Sequence, residues 1–386
     1  MTTTTPYPFA VICPWSPAPE LERRRTDRTV DVEFDGGPAL LLTRWADIRA
    51  VLADARFAPH LPGVPMTLDD ANGSNLLFLM HGPPHARLRQ VLARAMSARR
   101  VAALRPAVEE LASVTVDRFA DQGRPAELMR GVAGPLAAGT LSELLGVELG
   151  QRSGFEEMLA DTQALFGAAD PGAVGTAGEQ LQAFLAELVA DRQAHPGADL
   201  ISELTTGALA PEEIHGLVFA LLGAGLVPPA QAMLLATARL LDDPATAHRL
   251  RRERALVPQA VEELLRLDPV GAGSTDRALR ATADVELGGL RVPAGALVVL
   301  PLGAANRDPA QFPEPDALRL DRPTNRHVSF APGVHHCLGA ALARLQLEVG
   351  LRVLLERFPR LTAVGAPDWQ RGMLGVQSLR TLHVSW

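Results

Sequence analysis

Apolar residues recur along most of this chain at the three- and four-residue spacing of helices that bury one face. Between residues 85 and 120, for example, Leu88, Leu92 and Ala95 lie on one such face. Proline and glycine residues separate the segments that have this pattern. The spacing predicts helices at residues 45–53, 85–120, 135–145, 150–168, 178–194, 246–255, 259–267 and 340–358.

A smaller part of the chain has the short apolar runs and turn residues that are typical of β-strands. Residues 39–43 are a candidate buried strand, and residues 284–295 indicate two short strands around Gly288-Gly289. Residues 296–300 add one more. Neither an internal repeat nor a low-complexity linker divides the sequence. We therefore predict a mainly α fold with a small β portion, formed by a single domain over residues 1–386.

The segment from Leu217 to Ala238 contains no charged residue and is long enough to cross a bilayer. Pro228 and Pro229 lie at its centre and the polar Gln231 follows them, which argues against simple membrane insertion. We therefore predict a long helix buried in the core. Residues 1–10 lack the basic and apolar stretches of a secretory signal, so we expect a cytoplasmic protein with no membrane partner.

The composition is that of a globular protein, with 47% hydrophobic and 21% charged residues among 386. A formal net charge of −7 excludes a general basic surface for binding nucleic acid. Apart from histidine, every cationic side chain is an arginine. The two cysteines, Cys13 and Cys337, are far apart in sequence and predict no disulfide framework, in agreement with a reducing cytoplasm.

Cys337 lies in a segment with the features that a haem thiolate ligand needs. Gly333 allows a sharp turn before it, and the apolar run after it predicts a helix whose positive end lowers the pKa of the thiol. Phe330 could shield one side of the sulfur. Two other interpretations stay open at this point. One is an ordinary buried cysteine, and the other is a zinc site with His335 and His336, although adjacent residues rarely reach one metal ion.

The same segment resembles the haem-binding signature of the cytochrome P450 family, F-x-x-G-x-x-x-C-x-G. The four matching positions are Phe330, Gly333, Cys337 and Gly339. The resemblance implies that Cys337 ligates the iron of haem b (iron protoporphyrin IX) and that His335 contacts a haem propionate. The family usually has a glycine directly after the phenylalanine, where this chain has Ala331.

Downstream of the long apolar segment, Glu263-Leu264-Leu265-Arg266 fits the E-x-x-R pair of the same family. A glutamate and an arginine at i,i+3 are common on helix surfaces. The pair is therefore informative only together with residues 306–323, which resemble the meander of bacterial P450s. The resemblance implies a charge network that joins the pair to the meander, with Arg322 or His327 as its third member.

Upstream, residues 82–89 resemble the start of the family's C helix. His85 and Arg89 are four residues apart and lie on one helix face, and the resemblance implies that both reach one haem propionate. In the strand before Asp284 the family usually has a further arginine that binds a propionate. Here Arg277 and Arg280 flank the expected position, and either is a candidate.

The long apolar segment departs from the family. Most members have an alanine and a glycine followed by an acid and an alcohol, which organise the water that delivers protons to dioxygen. Here Val227 and Pro228 take the places of the acid and the alcohol, and neither can relay a proton. The prolines also deprive carbonyl groups about one turn earlier of their amide donors. The predicted oxygen-side site consists of Ala224, Gly225, Val227 and Pro228.

This departure leaves the reaction open. One hypothesis is hydroxylation or epoxidation of a polyketide, terpenoid or other small molecule by an unusual proton route. The other, which we favour, is oxidative coupling, ring closure or desaturation of a natural-product intermediate such as a peptide or cyclic dipeptide. A haem-binding protein without catalytic activity is the alternative from another class.

The resemblance also implies the partners and the pocket. Electrons would come from an acidic ferredoxin and its ferredoxin reductase, docked on a patch of arginines, and the protein would be a monomer. The arginines of that patch are Arg87, Arg89, Arg99, Arg100, Arg326 and Arg344. The substrate pocket would be lined by residues 61–75, 165–171, 222–227, 271–275 and 373–375.

Overall fold

The computed structural model describes residues 5–11, 15–63, 67–147, 171–197, 199–207, 209–270, 276–371 and 377–386. The chain divides into two compact units. The first unit comprises Met1–Arg87 and Glu262–Cys337, and the second comprises Leu88–Val261 and Leu338–Trp386. The single domain over residues 1–386 stays a prediction.

Helices account for most of the described residues, as the spacing of apolar positions predicted. They are α1 (Pro19–Arg23), α2 (Trp45–Ala53), α3 (Leu68–Gly73), α4 (Gly82–Ala95), α5 (Ala98–Ala103), α6 (Arg105–Asp121), α7 (Gly134–Leu145), α8 (Pro171–Ala194), α9 (Leu200–Thr205), α10 (Pro211–Asp242), α11 (Pro244–Arg252), α12 (Val257–Leu267), α13 (Leu302–Ala305) and α14 (Ala340–Arg357). A π-helical turn at Met129–Ala133 leads into α7. The helix predicted at residues 150–168 lies outside the described residues.

The strands are short. They are β1 (Thr5–Pro6), β2 (Thr29–Phe34), β3 (Gly37–Leu42), β4 (Phe57–His60), β5 (Ala126–Glu127), β6 (Asp276–Ala281), β7 (Val285–Leu287), β8 (Leu290–Val292), β9 (Leu297–Pro301), β10 (Thr362–Ala363), β11 (Asp368–Arg371), β12 (Gln377–Thr381) and β13 (His383–Ser385). The predicted strands at 39–43, 284–295 and 296–300 are confirmed as β3, the β7–β8 hairpin and β9. The mainly α fold with a small β portion is therefore confirmed.

A six-stranded sheet in the order β1-β2-β3-β9-β6-β4 organises the first unit. β3 pairs with β9 in parallel, and β6 is antiparallel to both of its neighbours. Alternate side chains point to opposite faces, so Leu42 and Leu279 join one apolar cluster while Leu41 and Ala278 join another. The first of these clusters also contains Ala331 of the cysteine segment. One face of the sheet therefore supports that segment.

A buried charge network holds the meander in the first unit. Arg266 and Glu263 are 0% and 1% exposed, and the Nε of Arg266 donates to the carboxylate of Glu263 at 2.5 Å. The Nε of Arg322 donates to the same carboxylate at 2.8 Å. Arg322 is thus the third member, whereas His327 lies 3.2 Å from Glu262. Other N–H groups of Arg266 donate to the backbone carbonyls of Asn306, Pro315 and Ala317 at 2.6–3.0 Å.

The long helix α10 runs through the second unit and packs against α7, α8 and α14. By length and composition it could cross a membrane, but 56% of its most apolar window is buried inside the protein. That burial supports the prediction of a core helix. α10 continues through Pro228 and Pro229 without a break.

Candidate functional site

Cys337 ends a tight turn in the first unit. Its backbone N–H donates to the carbonyl of Phe330 at 2.9 Å, and the N–H of His336 donates to the carbonyl of Gly333 at 3.0 Å. The N–H of Ala331 donates to the carbonyl of Val328 at 2.8 Å. Cys337 is half-buried. The hydrogen bonds therefore hold the thiol at a defined place while part of its surface stays open.

Gly333 is required by the packing of this turn. Its φ is +106°, and an added Cβ would lie 2.2 Å from the carbonyl oxygen of Leu52 and 2.7 Å from the Cα of Ala53. The turn therefore packs directly on the backbone at the end of α2. Ala331 has a φ of +48°, a left-handed conformation that costs a non-glycine residue about 1–2 kcal/mol. This conformation explains why a glycine suits that position.

The structure separates the two arginines that the sequence left as alternatives. They lie on opposite faces of β6 because side chains alternate along a strand. Arg280 donates to the carbonyl of Gly295 at 2.9 Å and its guanidinium lies 3.4 Å from Nδ1 of His60. Arg277 has solvent-open surface, yet the protein around it lowers its pKa, and the nearby Cys337 opposes that shift. Arg277 is therefore the arginine that can pair with an anionic group beside Cys337.

Three histidine rings meet next to the cysteine turn. The ring centroid of His335 lies 4.3 Å from that of His85 and 5.5 Å from that of His81. His85 and His81 are buried, with 4% and 7% of their surface exposed. The sequence analysis identified His85 and His335 but missed His81. Its position four residues before His85 is the signal that could have revealed it.

The other predicted cofactor residues are Arg89, Phe330 and Gly339, and the structure places each of them in a described element or turn. Arg89 lies one helical turn after His85 in α4, in the second unit, and is half-buried. The ring of Phe330 is half-buried, with its centroid 5.8 Å from that of His327. Gly339 is the N-cap of α14. Their contacts with a haem remain predictions.

The middle of α10 has an open face within an otherwise buried segment. Ala224 is exposed, and Val227 and Pro228 are half-buried, although the helix is buried at residues 222 and 230. These three residues follow the i, i+3, i+4 spacing of one helix face, which we call the open face. Its side chains are aliphatic and carry no group that can donate or accept a proton.

The two prolines of α10 also change its backbone chemistry. A proline nitrogen carries no hydrogen, so the carbonyls of Ala224 and Gly225 cannot receive the usual hydrogen bond from residue i+4. Next to them, a Cβ added to Gly223 would meet no atom within 4 Å. Backbone acceptors therefore lie beside the open face, where an acid and an alcohol were expected from the family.

Comparison with known proteins decides the family. The cytochrome P450 family model matches residues 180–376. The mycinamicin IV hydroxylase/epoxidase of Micromonospora griseorubida is 38% identical, over 88% of this chain and 87% of that protein. The chain is a cytochrome P450. The nocardicin C N-oxygenase of Nocardia uniformis subsp. tsuyamanensis is 37% identical to this P450, over 91% and 90% of the two chains.

Solved structures agree with this assignment. The putative thioether synthase SgvP, which is involved in the tailoring step of griseoviridin, has a TM-score of 0.87 and 34% identity to this P450, over 100% of both chains. The family resemblance noted in the sequence is confirmed. This bacterial P450 is an oxidoreductase that binds haem and acts on a small molecule with electrons from a redox partner, and its relatives include tailoring enzymes.

The residues of the first unit fit a haem. The half-buried Cys337 offers a thiolate, which is the nucleophilic and metal-binding form of cysteine. Arg277 offers a cation, and His85 and His335 offer ring nitrogens, which together suit the two carboxylates that haem carries. Although three histidines meet here, no three His, Cys, Asp or Glu side chains among the described residues are arranged to hold one metal ion together.

Two further predictions concern the arginine patch for a redox partner and the lining of the substrate pocket. Among the arginines of the proposed partner patch, Arg100 forms an ion pair with Glu203, while Arg87, Arg99 and Arg326 are exposed. Parts of the predicted pocket lie outside the described residues, namely 64–66, 165–170, 271–275 and 373–375.

Proposed function

We propose that this P450 is a tailoring oxidase of bacterial secondary metabolism that couples, cyclises or desaturates a peptide or cyclic-dipeptide-like intermediate. Cys337 would be the haem ligand, with His85, Arg89 and His335 as partners of the haem propionates and Arg277 beside them. Phe330, Gly333 and Gly339 would shape the ligand loop. The observation that carries the peptide-like substrate is the open face of α10, whose side chains cannot relay a proton, so that the substrate has to bring or hold the donor.

Because the open face has no proton relay of its own, a donor must come from the substrate or from water that the substrate holds. When bound, haem supplies the activation of dioxygen toward an organic substrate. The carbonyls of Ala224 and Gly225 can accept hydrogen bonds from such a donor. The amide N–H groups of a peptide or cyclic dipeptide match these acceptors, while the aliphatic surface around them suits apolar side chains.

The proposed reaction balances without inserting oxygen into the product. Two hydrogen atoms leave the substrate, and one new bond forms between the atoms that lose them, or a double bond forms in a desaturation. Dioxygen takes these two hydrogen atoms together with two electrons and two protons, giving two molecules of water. The similarity to a putative thioether synthase supports a bond-forming reaction of this kind.

Hydroxylation or epoxidation is the second candidate, and the 38% identity to a mycinamicin IV hydroxylase/epoxidase favours it. In that reaction one oxygen atom enters the product and the other leaves as water, with the same two electrons and two protons supplied. The two candidates therefore differ in the mass of the product.

The deciding experiment supplies the purified holoenzyme with a ferredoxin and its reductase, and with a panel of tyrosine- and tryptophan-containing cyclic dipeptides. Loss of two hydrogen atoms from the substrate supports coupling or desaturation, whereas gain of one oxygen atom supports the second candidate. Absence of product from every member of the panel, with both the reductase system and peroxide, would contradict the first candidate.

N-methylation of the active substrate tests the role of its donor. Removing the N–H group should lower turnover about tenfold, the effect of losing roughly one hydrogen bond to the backbone acceptors. The double variant Val227→Glu/Pro228→Thr, which restores an acid and an alcohol, should recover turnover of the methylated compound. Full activity of the wild type on that compound would rule out a substrate donor.

We also propose that the protein is a cytoplasmic monomer and that an acidic ferredoxin docks on a patch that includes the exposed arginines Arg87 and Arg326 of the first unit. Association between an acidic partner and such a patch weakens with salt. The rate of reduction by ferredoxin should therefore fall as ionic strength rises, while reduction by dithionite should not.

A further inference from the structure

His81 is the member of the histidine cluster that has no role so far. The ring of His335 is a neighbour of both His85 and His81, and the planes of the His81 and His335 rings are nearly parallel, at 23° to each other. Only 7% of the surface of His81 is exposed. Its polar ring nitrogens therefore need partners inside the protein.

Two segments other than its own hold His81 in place. Its backbone N–H donates to Oδ1 of Asn72 in α3 at 2.8 Å. Its ring Nε2 lies 2.9 Å from the carbonyl oxygen of Ala55, just after α2. Because a carbonyl can only accept, the Nε2 of His81 carries a hydrogen. The tautomer of this ring is therefore set by the backbone.

The second ring nitrogen of His81 faces His335. Its Nδ1 lies 3.2 Å from Nε2 of His335. Burial lowers the pKa of His81, so the ring is neutral, and with a hydrogen on Nε2 its Nδ1 is an acceptor. The Nε2–H of His335 is then the donor. This hydrogen bond fixes the rotation of the His335 ring and turns its other edge away from His81.

We propose that His81 is a positioning residue, which accepts the hydrogen bond of His335 and thereby orients that ring toward a carboxylate of the bound haem. The inference rests on the haem contact proposed above for His335. Histidines that hold cofactors or metals commonly depend on a second partner that fixes their tautomer and rotation. Neither the family signature nor the spacing of residues 82–89 includes His81.

Two variants distinguish the hydrogen bond that His81 accepts from His335 from the one that it donates to the carbonyl of Ala55. Asparagine places a side-chain amide near the position of Nδ1, so His81→Asn keeps an acceptor for His335 and loses the bond to Ala55. Glutamine places its amide near Nε2, so His81→Gln does the reverse. Haem transfer from the holoenzyme to apomyoglobin should be about three- to tenfold faster in His81→Gln and within about twofold of wild type in His81→Asn.

The midpoint potential of the haem should follow the same order, shifting in His81→Gln and staying close to wild type in His81→Asn. Equal behaviour of the two variants, or the larger change in His81→Asn, would overturn the proposal. Adding His81→Gln to His335→Phe should have no further effect on haem transfer, because the ring that His81 orients is then absent.

A measurement on the wild type covers the case in which a variant does not fold. In the ferrous carbon monoxide form, labelled with nitrogen-15 in histidine, we expect a scalar coupling across the hydrogen bond between the two rings. Its absence would overturn the inference. If the coupling is present but His335→Phe leaves haem transfer unchanged, the hydrogen bond stands and the proposed haem contact of His335 fails instead.

Discussion

The cysteine turn in the first unit and the open face of α10 in the second differ in how their backbone hydrogen-bonding groups are satisfied. In the turn, the N–H groups of Ala331, His336 and Cys337 all donate to nearby carbonyls. In α10, Pro228 and Pro229 remove the donors that two carbonyls would have received. The comparison indicates that the proposed cofactor site is completed by bonds within the protein. The oxygen-side segment of α10 instead leaves two backbone carbonyls to which a substrate or water can donate.

The largest expected effect comes from removing the proposed ligand on the cysteine side. Cys337→Ser replaces a thiol that can ionise with an alcohol that does not, so the red-shifted band of the reduced carbon monoxide complex should disappear. Turnover should fall by at least about a hundredfold, since even partners of a metal ligand commonly matter by that amount. Cys13→Ser changes the other cysteine and should leave the spectrum unaltered. An unchanged spectrum in Cys337→Ser would rule out the ligand assignment.

The next largest effect concerns the buried charge network of the first unit and its contribution to the free energy of unfolding. Glu263→Ala leaves Arg266 and Arg322 as buried cations without their carboxylate, which should lower the free energy of unfolding by about 3–5 kcal/mol. Arg319→Ala is the control, because its side chain pairs with exposed carboxylates of Glu314 and Asp321 and should cost at most about 1 kcal/mol. Urea unfolding measures both. Similar losses in the two variants would contradict a network specific to Glu263.

A matched pair of glycine substitutions compares the two regions directly. Gly333→Ala forces a Cβ against the carbonyl of Leu52 at a φ of +106° and should cost about 2–4 kcal/mol of the free energy of unfolding. Gly223→Ala meets no atom and should stabilise α10 by up to about 1 kcal/mol, because alanine favours the helix.

Substrate binding supplies the second readout for this pair. Gly223→Ala should weaken it, since the methyl group enters the space beside the open face. If Gly223→Ala destabilises the protein as much as Gly333→Ala does, the contrast between a packed and an open region is wrong.

The smallest effect concerns protonation of His81. Burial lowers its pKa below the ordinary value of 6.5, so the unfolded chain takes up a proton at a higher pH than the folded chain. The resulting contribution to stability is present above pH 6.5 and is lost as the pH falls below it. His81→Asn cannot titrate, so its free energy of unfolding should fall less than that of wild type between about pH 7.5 and about pH 5.5. An equal fall in both proteins would contradict a buried neutral ring.

Elements with a strong local pattern were predicted closely. α2 and the β7–β8 hairpin have the bounds expected from apolar spacing and from Gly288-Gly289, because helix periodicity and turn chemistry act between near neighbours. The strand β6 was expected from the family resemblance alone and not from a local pattern. It is defined by pairing with β9 and β4, and such pairing depends on residues that are distant in sequence.

The sequence by itself determined the identity of the candidate ligand, Cys337, the glycine before it, and the replacement of an acid and an alcohol by Val227 and Pro228. These are facts of covalent chemistry that no folding can change. Only the tertiary structure decided that Arg277 lies near Cys337, that Arg322 completes the charge network, and that His81 holds His335. Each of these choices depends on which residues from distant parts of the chain meet in the fold, and local spacing does not encode such meetings.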